Sequence, residues 1–203
     1  MAEAVQHIVE ARWASAGRCS SVTGVAMGDE DLLQAAAAGD RRAFSELLEL
    51  HYDRIFRFSF RLTGSREEAE DLTQDICLAL PAKLKSFRGK ARFTTWLYRV
   101  AMNAAHDRRR RAVSRTKAAE GWGDIEMSRR AEATDRAVDL DWLRRSMAVL
   151  PDDLRDTVAL TIDGEMTHRE AAEVLGISEG TVSWRLSEVR KRLRAMWQEE
   201  TGR

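Results

Sequence analysis

The stretch Thr167–Arg194, THREAAEVLGISEGTVSWRLSEVRKRLR, decides how the rest of the chain is read. Thr167 with Glu170 three residues on has the form of a capping box, in which side chain and backbone satisfy each other's unpaired donors and so fix a helix start. Ala171, Ala172, Val174 and Leu175 then give a short helix with a small inner face, and Gly176 tolerates the left-handed conformation that ends it. Ser178 can cap again, and Val182, Leu186, Val189 and Leu193 recur at offsets of four, three and four, one stripe of a second helix. Helices joined by so short a turn cross closely, and Ala172 supplies the small residue the crossing needs. The stretch reads as a helix-turn-helix. Its second helix leaves Thr181, Ser183, Trp184, Arg185, Ser187, Glu188, Arg190 and Lys191 outside, with Arg192 and Arg194 beyond them. Short hydrogen-bonding groups near the start and cations toward the end suit a helix that meets bases first and phosphates after.

Composition narrows the classes. A chain of 203 residues, 44% hydrophobic, is one or two domains with cores of ordinary size. No stretch approaches the roughly 20 apolar residues of a membrane span, so a cytoplasmic protein with no membrane insertion of its own is expected. Cys19 and Cys77 stand far apart with no second pair for a zinc site or disulfide framework, which fits a reducing compartment. With two prolines, little β-branched alternation and much alanine, leucine, glutamate and arginine, the fold is expected to be all-α: two small helical domains joined by a flexible linker.

The formal net charge is zero, yet the charge is segregated. Lys83 to Lys117 holds twelve cations against the single acid Asp107, while Asp29 to Ala82 and Ala118 to His168 each hold twelve acids and six bases. A cationic footprint confined to one segment engages phosphate even in a neutral molecule.

Along the chain, residues 1–28 lack a helical period and are expected to be a disordered extension, with Met27 a candidate alternative start. Leu32, Leu33 and Ala36 form a first helix that Gly39 halts, and Asp40 caps the next. That second helix carries Phe44, Leu47, Leu48, Ile55, Phe58 and Leu62 inward and ends at Gly64. Ser65 and Glu68 suggest another capping box, after which Ala69, Leu72, Ile76, Leu80 and Leu84 point inward and Pro81 is expected to kink the helix. The loop Phe87–Phe93 interleaves aromatics with cations, the pattern of single-stranded nucleic-acid sites, where bases stack on rings and phosphates meet charge. Thr94 or Thr95 is expected to cap the next helix, which holds Trp96, Leu97, Val100, Ala101 and Ala104 and ends in the run Arg108–Arg111. The domains expected are thus 29–111 and 135–194, with a linker at 112–134, which includes Trp122, and a tail at 195–203. The second unit opens with Leu140, Leu143, Met147 and Leu150, stops at Pro151, and restarts through Leu154, Val158 and Ile162.

These motifs together resemble the extracytoplasmic-function group of bacterial sigma factors, within the sigma-70 superfamily. Asp71-Leu72-Thr73-Gln74-Asp75, Ser86-Phe87-Arg88-Gly89 and Phe93-Thr94-Thr95-Trp96-Leu97-Tyr98-Arg99-Val100-Ala101-Met102-Asn103 are similar to region two of that family. Leu150-Pro151 and Gly180-Thr181-Val182-Ser183-Trp184-Arg185-Leu186 are similar to region four. The resemblance implies that Asp71, Leu72, Gln74 and Asp75 bind core RNA polymerase. It implies that the following loop and helix take the minus-ten element of promoter DNA with a flipped base, through Ser86, Phe87, Arg88, Lys90, Arg92, Phe93 and Asn103. Arg99, Arg108 and Arg109 join that surface by charge. The helix-turn-helix would read the minus-thirty-five element, and an anti-sigma factor is the expected regulator. A flipped base loses a few kcal/mol of stacking, so its site must offer replacement contacts on a cationic surface.

A second reading is an operator-binding regulator that uses only the helix-turn-helix. An enzyme is not expected: His7, His51, His106 and His168 are scattered, with no metal spacing, phosphate loop, nucleophile motif or cofactor site. On the recognition helix Glu188 stands where the family often has a basic or polar residue; a glutamate accepts from a cytosine amino group and repels phosphate. Arg185, Arg190 and Lys191 are assigned to phosphates. Glu188 is accordingly expected to face a base edge or a partner rather than the backbone, and Glu188→Ala to alter promoter preference or affinity in a binding assay on variant sites; both unchanged would remove that assignment.

Overall fold

The computed structural model describes residues 29–119, 145–147, 149–162, 164 and 166–201. Seven helices are named below: α1 (Asp29–Ala38), α2 (Arg41–Thr63), α3 (Arg66–Leu84), α4 (Phe93–Ala119), α5 (Asp152–Thr161), α6 (His168–Leu175) and α7 (Glu179–Thr201). Among the described residues there is no strand, as the composition led one to expect.

Local chemistry sets the boundaries. The Asp40 side chain accepts from the backbone N–H groups of Arg42 and Ala43, which starts α2, and Gly64 at φ 69° ends it by returning its N–H to the Phe60 carbonyl. Ser65 accepts from Glu68 N–H at the start of α3, and the helix then runs past Pro81 to Leu84. Helix α4 starts two to three residues earlier than the threonines suggested. Its first bond joins Trp96 N–H to the Arg92 carbonyl, so Thr94 and Thr95 lie in the first turn, and Thr95 is buried. It also continues past Arg111 to Ala119, and α7 continues to Thr201 through most of the expected tail. The expected N-terminal extension, Trp122, Leu140 and Leu143 lie outside the described residues.

The stripes read from sequence become the core. Phe44, Leu47, Leu48, Ile55, Phe58 and Leu62 of α2 are buried together with Ala69, Leu72, Ile76, Leu80 and Leu84 of α3. Helix α4 closes this bundle with Leu97, Tyr98, Val100, Ala101, Met102 and Ala105. In the second unit Leu150, Leu154, Val158 and Val189 are buried together, with Met147, Leu186, Leu193 and Met196 against them. Ile162 departs from its expected inward place, with 51% of its surface exposed, because the helix ends at Thr161 and the chain turns outward there. Ala159 and Leu160 are buried in its stead and join the core of the front bundle, as do Met166, Ala171, Ala172, Val174 and Val182. Helix α5 packs on α2, and α6 packs on α4. One apolar interior therefore spans both units.

Leu72 is fully buried, so truncation leaves a void its neighbours fill only in part. Leu72→Ala is expected to destabilise the chain by about 2–5 kcal/mol in urea unfolding. The same truncation at exposed Asp71 is expected to change stability by less than about 1 kcal/mol.

Candidate nucleic-acid interface

The loop between α3 and α4 is pinned by its aromatics. Phe87 meets Phe93 edge-on at 5.8 Å and lies tilted to Trp96 at 5.3 Å, Phe93 stacks on Trp96 at 5.6 Å, and His51 of α2 meets Phe93 edge-on at 5.0 Å. Such pairs hold geometry beyond their buried area. Phe87, Phe93 and Trp96 are half-buried, and Arg88, Lys90 and Arg92 are left facing water. Gly89 turns the loop at φ 66°, a conformation a side chain would strain. Ser86 is exposed and donates to the Lys83 carbonyl at 2.6 Å, tying the loop's entry to the end of α3.

The α4 residues assigned to the minus-ten surface fall into distinct environments. Asn103 is exposed. Arg99 is exposed as well and donates to the Glu173 carbonyl at 2.6 Å, one of the carbonyls that the end of α6 leaves without an intrahelical partner. Arg108 turns back toward α3 and binds Asp71 at 2.7 Å and Asp75 at 3.3 Å. Arg109 reaches α5: its Nη2 donates to both oxygens of Asp156, at 2.8 and 3.0 Å, and its Nη1 lies 3.1 Å from Asp152. Arg108 and Arg109 are thus committed to carboxylates within the chain, unlike Arg88 and Lys90.

On α3 the residues assigned to polymerase divide by helical geometry. Asp71 and Asp75 are exposed and Gln74 is half-buried, but Leu72 lies in the interior with no surface to offer. Leu72 belongs to the inward stripe with Ala69, Ile76 and Leu80, so it acts on the outer face only by holding α3 in place. Leu78, by contrast, is 47% exposed and follows Asp71 and Asp75 at helical spacing, an apolar spot among acids. The seven-residue interval from Asp71 was the signal in sequence that could have found it.

The helix-turn-helix has the geometry its sequence implied. Thr167 accepts from Glu170 N–H, and the Glu170 carboxylate accepts from Thr167 N–H at 2.9 Å. That backbone donor, more than nearby Arg92, holds the Glu170 carboxyl below its usual value. The cap therefore stabilises α6 at neutral pH, and its contribution is lost as pH falls through the lowered value. Gly176 adopts φ 68°, ψ 33°, and Val182 is fully buried against the turn.

On α7, Ser183, Ser187, Arg190 and Lys191 are exposed, Thr181 is half-buried, and Trp184 shows 62% of its surface to solvent. Ser187, Arg190, Lys191 and Arg194 line one open basic groove. Arg185 departs from its assignment to phosphate. Its guanidinium folds back onto α5, 3.4 Å from the Asp153 carboxylate, and its Nη1 donates to the Asp153 carbonyl at 3.3 Å, which makes it a brace between α5 and the recognition helix. Glu188 binds Arg192 one turn on at 2.9 Å, and this pairing holds its carboxyl below the usual range. His168, unassigned from sequence, contacts Ser183 at 3.1 Å and joins the start of α6 to the recognition helix.

Two family descriptions match the chain, Sigma-70 region 2 over residues 47–115 and Sigma-70, region 4 over residues 140–193. The chain is 32% identical over 166 residues to the ECF RNA polymerase sigma factor SigM of Mycobacterium tuberculosis (strain ATCC 25618 / H37Rv), covering 81% of this chain and 82% of that one. It is 29% identical over 168 residues to the ECF RNA polymerase sigma factor SigW of Bacillus subtilis (strain 168), covering 77% and 89%. Among solved structures, the sigma factor RpoE from Bartonella quintana, in complex with the anti-sigma factor NepR, superposes with a TM-score of 0.66 at 25% identity, covering 77% of this chain and 98% of that one. The pinned basic loop, the acidic outer face of α3 and the basic helix-turn-helix lie within the matched regions, and the chain belongs to the extracytoplasmic-function family of RNA polymerase sigma factors.

Proposed function

We infer that the chain is a promoter-specificity subunit, in which the outer face of α3 grips core RNA polymerase, the α3–α4 loop with the exposed face of α4 takes the minus-ten element, and α7 reads the minus-thirty-five element. The observation that carries this reading is the loop itself. Its three aromatic side chains are pinned in a cluster while Arg88 and Lys90 have no ion pair among the described residues, so a rigid cationic edge is held ready for a strand. A preset surface binds without the entropy cost of ordering a mobile loop. The polymerase contact rests on Asp71, Gln74, Asp75 and Leu78, an apolar centre within a polar rim. The relative RpoE was solved with an anti-sigma factor, and the same class of protein regulator is proposed here.

Purified core polymerase is expected to make a specific transcript from a cognate promoter only when this chain is added. Retention of a duplex operator by the chain alone, with no gain from core enzyme, would instead favour the operator-binding regulator. Leu78→Ala with Gln74→Ala is expected to weaken core binding about tenfold, or ~1.4 kcal/mol, with helicity unchanged. Arg190→Ala and Lys191→Ala are each expected to reduce the salt slope of minus-thirty-five binding by about one. Arg185→Ala is expected to act chiefly through a lower melting temperature, because it removes the brace on α5.

A further inference from the structure

Helix α7 carries one large side chain that the fold does not use. Val182, Leu186, Val189 and Leu193 hold one side of the helix to the interior. At about 100° per residue, Trp184 stands on the opposite ridge, in line with Gly180, Ser187 and Lys191. Trp184 is 62% exposed, and among the described residues it has no hydrogen-bond or ring partner. Its polar neighbours are engaged within the chain: the Thr181 hydroxyl meets that of Ser178 at 2.8 Å, Ser183 meets His168, and Glu188 binds Arg192. Gly180, one turn earlier, is not demanded by packing either, since a Cβ there would meet only Ser178 Oγ, at 3.8 Å. A glycine within a helix is less stable than alanine. Here it leaves bare backbone beside the ring, where another molecule can come close.

Charge says what kind of surface meets this ridge. From Gly180 to Ser187 the only charged side chain is Arg185, and it is folded back onto Asp153. The exposed cations Arg190, Lys191 and Arg194 lie further along, in the groove they share with Ser187. Resting on the promoter reading above, those cations meet phosphates and fix the register, which sets the neutral ridge over base edges in the major groove. An apolar ring without charge beside it matches the floor of that groove and not the phosphate wall.

The chemistry of indole selects among the bases. It presents a flat apolar face and one N–H donor, and it has no acceptor. In the major groove thymine alone offers an apolar group, its C5-methyl, beside an acceptor, O4. Cytosine and adenine present amino donors that indole cannot accept, and guanine offers acceptors with nothing for the ring to cover. We propose that Trp184 is a specificity-determining residue of the minus-thirty-five contact: it covers the C5-methyl of one thymine and makes that position of the element prefer T·A. Ser183 and Ser187 flank the ring with hydroxyls, which serve any base edge and leave the selection to the indole.

The test uses the holoenzyme, core polymerase with the full chain, on duplexes it selects from a pool randomised through the minus-thirty-five element. Each selected thymine, on either strand, is then replaced by deoxyuridine, which removes the methyl and nothing else. The unsubstituted chain is expected to lose about fourfold in affinity at one thymine, the worth of one buried methyl, and little at the others. Trp184→Ala is expected to abolish that loss and the preference for T at that position. Its helicity, melting temperature and salt slope are expected to stay the same, as no phosphate contact is removed. Trp184→Leu, apolar but without the ring N–H, is expected to keep its sensitivity to the methyl. Deoxyuridine tolerated at every position by the unsubstituted chain, or penalised as before in Trp184→Ala, would overturn the assignment. So would weaker core binding by Trp184→Ala with base preference intact, which would make the ring a contact for polymerase. Failure of the holoenzyme to select any minus-thirty-five sequence would count instead against the promoter reading itself.

Discussion

Helix α4 must serve two masters, and that constraint organises the molecule. Its Leu97, Tyr98, Ala101, Met102 and Ala105 sink into the bundle formed with α2 and α3, so every charged residue it carries has to emerge on the remaining faces. The hydrophobic term fixes the rotation of the helix, and the rotation decides where each cation goes. Arg108 falls toward α3 and its acids, Arg99 and Arg109 toward the second unit, and Asn103 toward solvent. The charge distribution of this surface is thus a consequence of packing.

The same logic separates side chains that hold shape from those available to a partner. In the α3–α4 loop the rings bind one another and the cations stay outward. In the recognition helix Arg185 is drawn inward to Asp153, while Arg190 and Lys191 stay exposed along the groove. Two arginines in similar sequence surroundings can therefore do different work, and five residues on a helix are enough to separate them. The fold gives each unit a rigid frame and leaves a limited set of charged groups free.

Helix periodicity and capping chemistry made most of the fold legible in the sequence. Asp40, Ser65, Thr167 and Gly176 mark their boundaries because short side chains and a left-handed glycine have few other uses at those places. The units' mutual packing was not legible, since Asp156, His106 and Arg109 lie far apart in the chain and nothing local pairs them. The burial of Leu72 is legible in the period it shares with Ala69, Ile76 and Leu80, whereas its acidic neighbours mark only the outer face. Residues that touch only their own helix can be placed from sequence, whereas those whose partner lies some fifty positions away need the three-dimensional structure.

The account stands most directly on the claim that the outward cations of the α3–α4 loop help hold an opened strand. Permanganate reactivity of promoter thymines, with polymerase and this chain assembled on the DNA, reads strand opening base by base. The account predicts reactive thymines at and downstream of the minus-ten element, and their loss in Arg88→Ala with Lys90→Ala even though the polymerase still occupies the minus-thirty-five element. Full thymine reactivity in that double variant would contradict it.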